Sequence, residues 1–175
     1  MKFTVHGPFR VPKTQSGIID SSPRARREFW QAANLDEKLS LACGCYVFAI
    51  RAGKGMKPWY VGLTHRQSFE RECFTPHKYK IYNDSVAGRI GNPMLFLLAR
   101  RTTRGALAKP SRREPKELVL VEGLLIGYAV QRNPGFKNVA RTRVLRELSL
   151  PGLINSPRGN PGAAALSLKR TFFKK

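Results

Sequence analysis

Apolar positions follow two different rhythms along this chain. Phe29, Trp30 and Ala33 recur at helical spacing behind Ser22-Pro23, a serine suited to the N-cap and a proline suited to the first helical position, so a helix is predicted there. Cys45 to Ile50 and Trp59-Tyr60-Val61 are runs of β-formers and predict two strands joined as a hairpin. The interval from Arg51 to Pro58 predicts a wide loop, with Lys54 and Lys57 standing in solvent or against phosphate. Met94 to Ala99 is an unbroken apolar run of strand length and predicts a third, buried strand. Residues 115 to 131 form the longest apolar helix candidate, closed by Asn133-Pro134-Gly135.

The remaining segments are less regular. Residues 1 to 20 carry Gly7, Pro8, Pro12 and Gly17 among short apolar and basic residues, and read as an extended arm with no core of its own. Ser68 caps a further helix with acidic residues in its first turn, interrupted by Pro76. Pro151 to Gly162 is rich in Pro, Gly and Asn, and Ala163 to Lys175 adds a last basic helix. Strands followed by helices, with no repeated βαβ rhythm, predict an α/β domain of the α+β kind: a small central antiparallel sheet of about three strands flanked by helices. The expected layout is an N-terminal arm and helix over 1–42, a core over 43–140 and a basic extension over 141–175.

Charge gives the domain a partner. Thirty-two Lys and Arg stand against eleven Asp and Glu, a formal net charge of +21 whose natural counterpart is a polyanion. DNA is the first candidate, with RNA as the alternative. The basic residues are spread along the chain rather than gathered on one amphipathic helix, which disfavours a membrane surface, and no apolar stretch is long enough to span a bilayer. Met1 to Pro8 has no apolar signal core, and three cysteines make no closed disulfide set, so a cytoplasmic setting is expected. Cys43 and Cys45 are too close for the usual zinc spacing. Cys73 and His77 are four apart, and a pair alone does not make a metal site.

Two features go beyond composition. Arg100, Arg101, Arg104, Lys109, Arg112 and Arg113 arrive with no acid among them, and Gly105 and Pro110 mark this basic cluster as a mobile loop that could grip phosphates. Glu122 is the second. Its helical neighbours Leu118, Val119, Leu125 and Ile126 are all apolar, so its carboxylate lies on a core-facing side, where it must sit at an edge, pair with a cation or hold a metal.

Gly44-Cys45-Tyr46, a short interval, Trp59-Tyr60-Val61-Gly62, a basic helix and then Glu122 in an apolar helix resemble, in order and kind, the GIY-YIG nuclease family. The resemblance covers about residues 43 to 140. It implies a metal-dependent endonuclease that hydrolyses DNA phosphodiesters, with Glu122 holding Mg2+ and Mn2+ as a substitute. Tyr46 and Tyr60 match the family's two tyrosines, which position or deprotonate the attacking water, and either is a candidate base. Arg71 matches the helix arginine that stabilises charge on the phosphoryl group, with Arg66 as a competing assignment. His77 or Lys78 takes the second basic position, although the interval from Arg71 is longer than in the commonest family pattern and contains Pro76. Asn138 matches the asparagine that braces the site, with Asn133 in reserve. The rival reading is a basic nucleic-acid-binding module that keeps the fold without the chemistry.

Overall fold

In the computed structural model, the described residues are 2–53, 55–138, 142–154, 156, 159 and 161–173, with the side chains of 143–145 left aside. The chain divides into two compact units, Met1–Asn138 and Val139–Lys175. The first is an α+β domain on a four-stranded antiparallel sheet with strand order β1-β4-β2-β3. Its strands are β1 (Lys2–Arg10), β2 (Gly44–Ala52), β3 (Gly55–Thr64) and β4 (Asn92–Arg101). Its helices are α1 (Pro23–Ala33), the four-residue α2 (Phe69–Glu72), α3 (Pro76–Val86) and α4 (Lys116–Arg132), with a short 3-10 turn at Leu39–Leu41. The second unit contains α5 (Thr142–Glu147) and α6 (Ala163–Phe172). No helix among the described residues is long and apolar enough to cross a membrane.

The sheet has four strands rather than about three, because the supposed arm supplies β1. Lys2 to His6 pair with Leu97 to Arg101 of β4, and beyond an irregularity at Gly7-Pro8 the pairing resumes at Phe9. Val11 and Ile19 then enter the core. The hairpin connection is also tighter than expected. Ala52 pairs with Gly55, so the strands run on to a tight connection, and Gly53 takes a positive φ of 55° there. Lys54 lies outside the described residues. Lys57 therefore belongs to β3, where its ammonium stands 5.8 Å from the Trp59 ring centroid.

Strand alternation splits the domain into two layers. Tyr46 and Phe48 of β2 face α1 and α3, where Tyr82 stacks on Phe48 at 4.1 Å and Phe29, Trp30 and Phe74 meet edge to face. Cys45 points to the other face, against α4, and donates to the Leu118 carbonyl at 3.7 Å. Helix α4 buries Leu118, Ile126, Ala129 and Val130, and Glu122 lies half-buried on that same stripe, as its spacing foretold. Pro76 does not interrupt a helix. It opens α3 at the first helical position behind the N-cap Thr75.

Candidate active site and nucleic-acid interface

The two glycines of the hairpin are positions of close approach. A β-carbon at Gly44 would lie 2.0 Å from the Leu98 carbonyl oxygen of β4. One at Gly62 would lie 2.4 Å from Cζ and 2.5 Å from Oη of Tyr46, which sits opposite it in the sheet register. Gly62 thus gives the Tyr46 ring room to lie flat across β3, and the ring is fully buried there.

Tyr46, Tyr60 and Lys78 are brought together, joined by a residue that the sequence did not single out. Lys78 Nζ donates to Tyr60 Oη at 2.8 Å and pairs with Glu72 Oε1 at 3.2 Å. Tyr46 Oη donates to the same Oε1 at 3.1 Å, and Gln67 Nε2 donates to Oε2 at 2.5 Å. The Lys78 ammonium also lies 4.9 Å from the Tyr60 ring centroid and 5.9 Å from that of Tyr46. Burial pushes the Tyr46 hydroxyl well above the usual phenol range, with neighbouring Tyr82, Cys73, Tyr60 and Glu72 adding to the rise. Burial alone would lower the Lys78 ammonium, but the Tyr60 hydroxyl and the Glu72 carboxylate outweigh it and leave Lys78 above the usual lysine value. Tyr60 remains half-exposed. Of the two tyrosines, only Tyr60 combines solvent access with a cation at its oxygen.

The other expected site residues are dispersed. Arg71 and His77 are exposed, and neither makes an ion pair with a described residue. Glu122 stands with Cys45 on the β2 face opposite Tyr46. Burial first, then the Glu122 charge, pushes the Cys45 thiol up to about 12. Asn138 clamps the edge strand, accepting from Val61 N at 2.9 Å and donating to Val61 O at 2.7 Å. Asn133 holds the same strand by a single bond, donating to Pro58 O at 2.7 Å while its Oδ1 accepts from Gly135 N at 3.1 Å. Both asparagines are therefore braces of β3. Among the described residues, no group of three or more His, Cys, Asp or Glu is placed to hold a metal ion.

The basic cluster resolves into two populations. Arg100 and Arg101 lie in β4, not in a loop, and both are committed: Arg100 to Glu117 at 2.8 Å, Arg101 to Glu37 in a short two-pronged pair. Each acid is held below the usual carboxylate range, Glu37 chiefly by Arg101 and Glu117 by a backbone amide and then Arg100. Arg104, Lys109, Arg112 and Arg113 stay exposed and make no ion pair with a described residue. The segment that carries them is tied down rather than loose. Cys43 N and Sγ donate to the Ala108 carbonyl at 3.1 and 3.3 Å, and Ser111 N donates to the His65 carbonyl at 2.6 Å. His65 also reaches Ser111 O at 3.2 Å and Glu114 at 3.6 Å. Those ties bring Arg112 and Arg113 to the strand end that carries the exposed Arg66. The same end leads through Thr64, whose hydroxyl donates to Gln67 O at 2.6 Å, to the Glu72 network.

No family model, curated protein or solved structure matches the chain.

Proposed function

We propose that this chain binds DNA through its basic strand-end surface and hydrolyses a phosphodiester at Tyr60. The observation that carries the reading is the 2.8 Å contact between the Lys78 ammonium and the half-exposed Tyr60 oxygen. A tyrosine is too weakly acidic to serve as a base unaided at neutral pH, and an adjacent ammonium favours a phenolate over a phenol. Tyr60, as the phenolate that the Lys78 ammonium stabilises, would take the proton of an attacking water as the water oxygen bonds to phosphorus. The P–O bond to the leaving sugar oxygen breaks, that oxygen takes a proton from solvent, and Lys78 then stabilises the charge developing on the phosphoryl group. Arg66, Arg112 and Arg113 would hold the flanking phosphates. The order of elements, with the Gly44-Cys45-Tyr46 and Tyr60-Val61-Gly62 strands at its centre, supports a GIY-YIG type of site. The three free, buried thiols suit the cytoplasm.

The Mg2+ attached to Glu122 by resemblance does not fit the Tyr60–Lys78 pair. Glu122 offers one carboxylate on the far face of the sheet, beside a thiol that stays protonated at neutral pH. No step is therefore routed through a metal.

Supercoiled plasmid incubated with the protein, with Mg2+ or with chelator, tests the reading. Wild type nicks, Tyr60→Phe nicks about a hundredfold more slowly, and both bind DNA equally. Wild-type rates from Tyr60→Phe and Lys78→Met would overturn it, and nicking abolished in Glu122→Ala would return the metal to the mechanism. A second reading, a binding module without chemistry, is favoured by the complete burial of Tyr46 and the outward position of Arg71. It predicts binding with no nicking under any condition, and RNA run beside DNA identifies the preferred polyanion.

Salt dependence separates the two arginine populations. Replacing Arg112 and Arg113 with Ser should flatten the slope of log affinity against log salt by about two, since each released phosphate contact contributes about 0.9 on duplex DNA. Arg101→Ser should change the slope far less and lower stability instead, because its guanidinium is already engaged by Glu37.

A further inference from the structure

We infer that Glu72 is the positioning residue of this site: braced by the buried Tyr46 hydroxyl and the Gln67 amide, its carboxylate keeps the Lys78 ammonium charged and aimed at the Tyr60 oxygen. The inference rests on the reading of Tyr60 and Lys78 given above. A lysine carries three donors on a flexible stem, and its side chain here is only 11% exposed. A phenol at 2.8 Å gives that buried cation a hydrogen-bond acceptor but no counter-charge. Glu72, at 3.2 Å, gives both.

The carboxylate is itself fixed on three sides. Tyr46 and Lys78 share Oε1 and Gln67 takes Oε2. Its short helix is anchored by the fully buried Phe69, whose amide donates to Ala42 O at 2.9 Å. The order Tyr46, Glu72, Lys78, Tyr60 is then a chain of contacts running from the core to the surface. It gives the first motif tyrosine a task that needs no access to substrate, bracing the acid. The titratable groups around Lys78 are Tyr46 from β2, Tyr60 from β3, Glu72 from α2 and Cys73 beside it, with Tyr82 packed on Tyr60 from its own helix. Glu72 is the one carboxylate among them.

The test pairs a spectroscopic readout with a kinetic one. The Lys78 side-chain resonance, assigned by its loss in Lys78→Met, is titrated by NMR in wild type, Glu72→Gln and Glu72→Asp. Glu72→Gln should lower the Lys78 titration midpoint, slow plasmid nicking about tenfold or more, and move the alkaline limb of the pH profile to lower pH. Glu72→Asp should recover part of each. Tyr46→Phe, which removes the brace and spares the acid, should move the midpoint in the same direction by less. A wild type that never nicks, with a midpoint that still falls in Glu72→Gln, sinks the hydrolase reading and leaves the Glu72–Lys78 link standing. An unchanged midpoint in Glu72→Gln, or a lowered midpoint with unchanged nicking, overturns the inference.

Discussion

Gly62→Ala is expected to lower folding stability by about 3 kcal/mol, at the upper end of what overpacking costs. The added methyl would sit 2.4 Å from Cζ of Tyr46, and that ring has nowhere to retreat. It is fully buried, shares its layer with the stacked Phe48 and Tyr82, and is tethered through its hydroxyl to Glu72. Either the ring shifts and releases Glu72, or β3 moves away from β2. Urea denaturation checks the size of the effect, with Gly55→Ala as reference, since a β-carbon there meets nothing within 4 Å and should change stability by under about 0.5 kcal/mol. The cause is checked by a cycle with Tyr46→Leu, whose smaller side chain should make the double variant lose clearly less than the sum of the singles. Additive losses would mean that Gly62 is needed for a reason other than the Tyr46 ring.

That steric account explains why the hairpin was legible. A glycine two residues before one tyrosine and another two residues after its partner record places where side chains and backbones must pass closely. Such close approach leaves a mark on the sequence itself. Glu122 was legible for a similar reason, because helical periodicity alone puts it on the Leu118 and Ile126 stripe. What periodicity could not supply was the face of the sheet against which that stripe packs. Helix α4 lies over Cys45, so the acid of the apolar helix and the tyrosines of the hairpin point away from each other.

Features defined by distant partners stayed hidden. Strand β1 is built of residues whose pairing partners lie about ninety positions away, and a Gly-Pro interruption makes it resemble a linker. Arg101 looked like part of a phosphate-gripping loop because Glu37, sixty-four residues earlier, gives no local sign of engaging it. Glu72 was disguised most thoroughly. An acid at the start of a helix has a sufficient local explanation in the helix dipole, and only the assembled fold shows three donors converging on it. The difference in burial between Lys78 and His77 is hidden in the same way: Pro76 opens a helix that turns position 78 inward and leaves 77 exposed.

Lys78→Met should be the second large effect, and its dependence on pH identifies the cause. At neutral pH the variant is expected to lose about 3 kcal/mol, the low end for stripping one partner from a buried ion pair, since Glu72 keeps some solvent access. Wild-type Lys78 is held above the usual lysine value in the folded state, despite the opposing effect of burial. Its contribution is therefore complete below the unfolded lysine value and disappears as pH rises through the folded one, so the wild type should weaken in alkali. Lys78→Met should lack that alkaline decline. It should instead grow more stable as acid protonates the now uncompensated Glu72 carboxylate, moving the pH dependence of the site from the alkaline to the acid range. Adding Glu72→Gln to Lys78→Met should restore most of the neutral-pH loss, because the amide can still accept from Tyr46 while carrying no charge. A coupling between the two substitutions below about 0.5 kcal/mol in that cycle would show that the pair does not act as one unit. A coupling well above it would establish the ion pair as the joint between the core and the surface tyrosine.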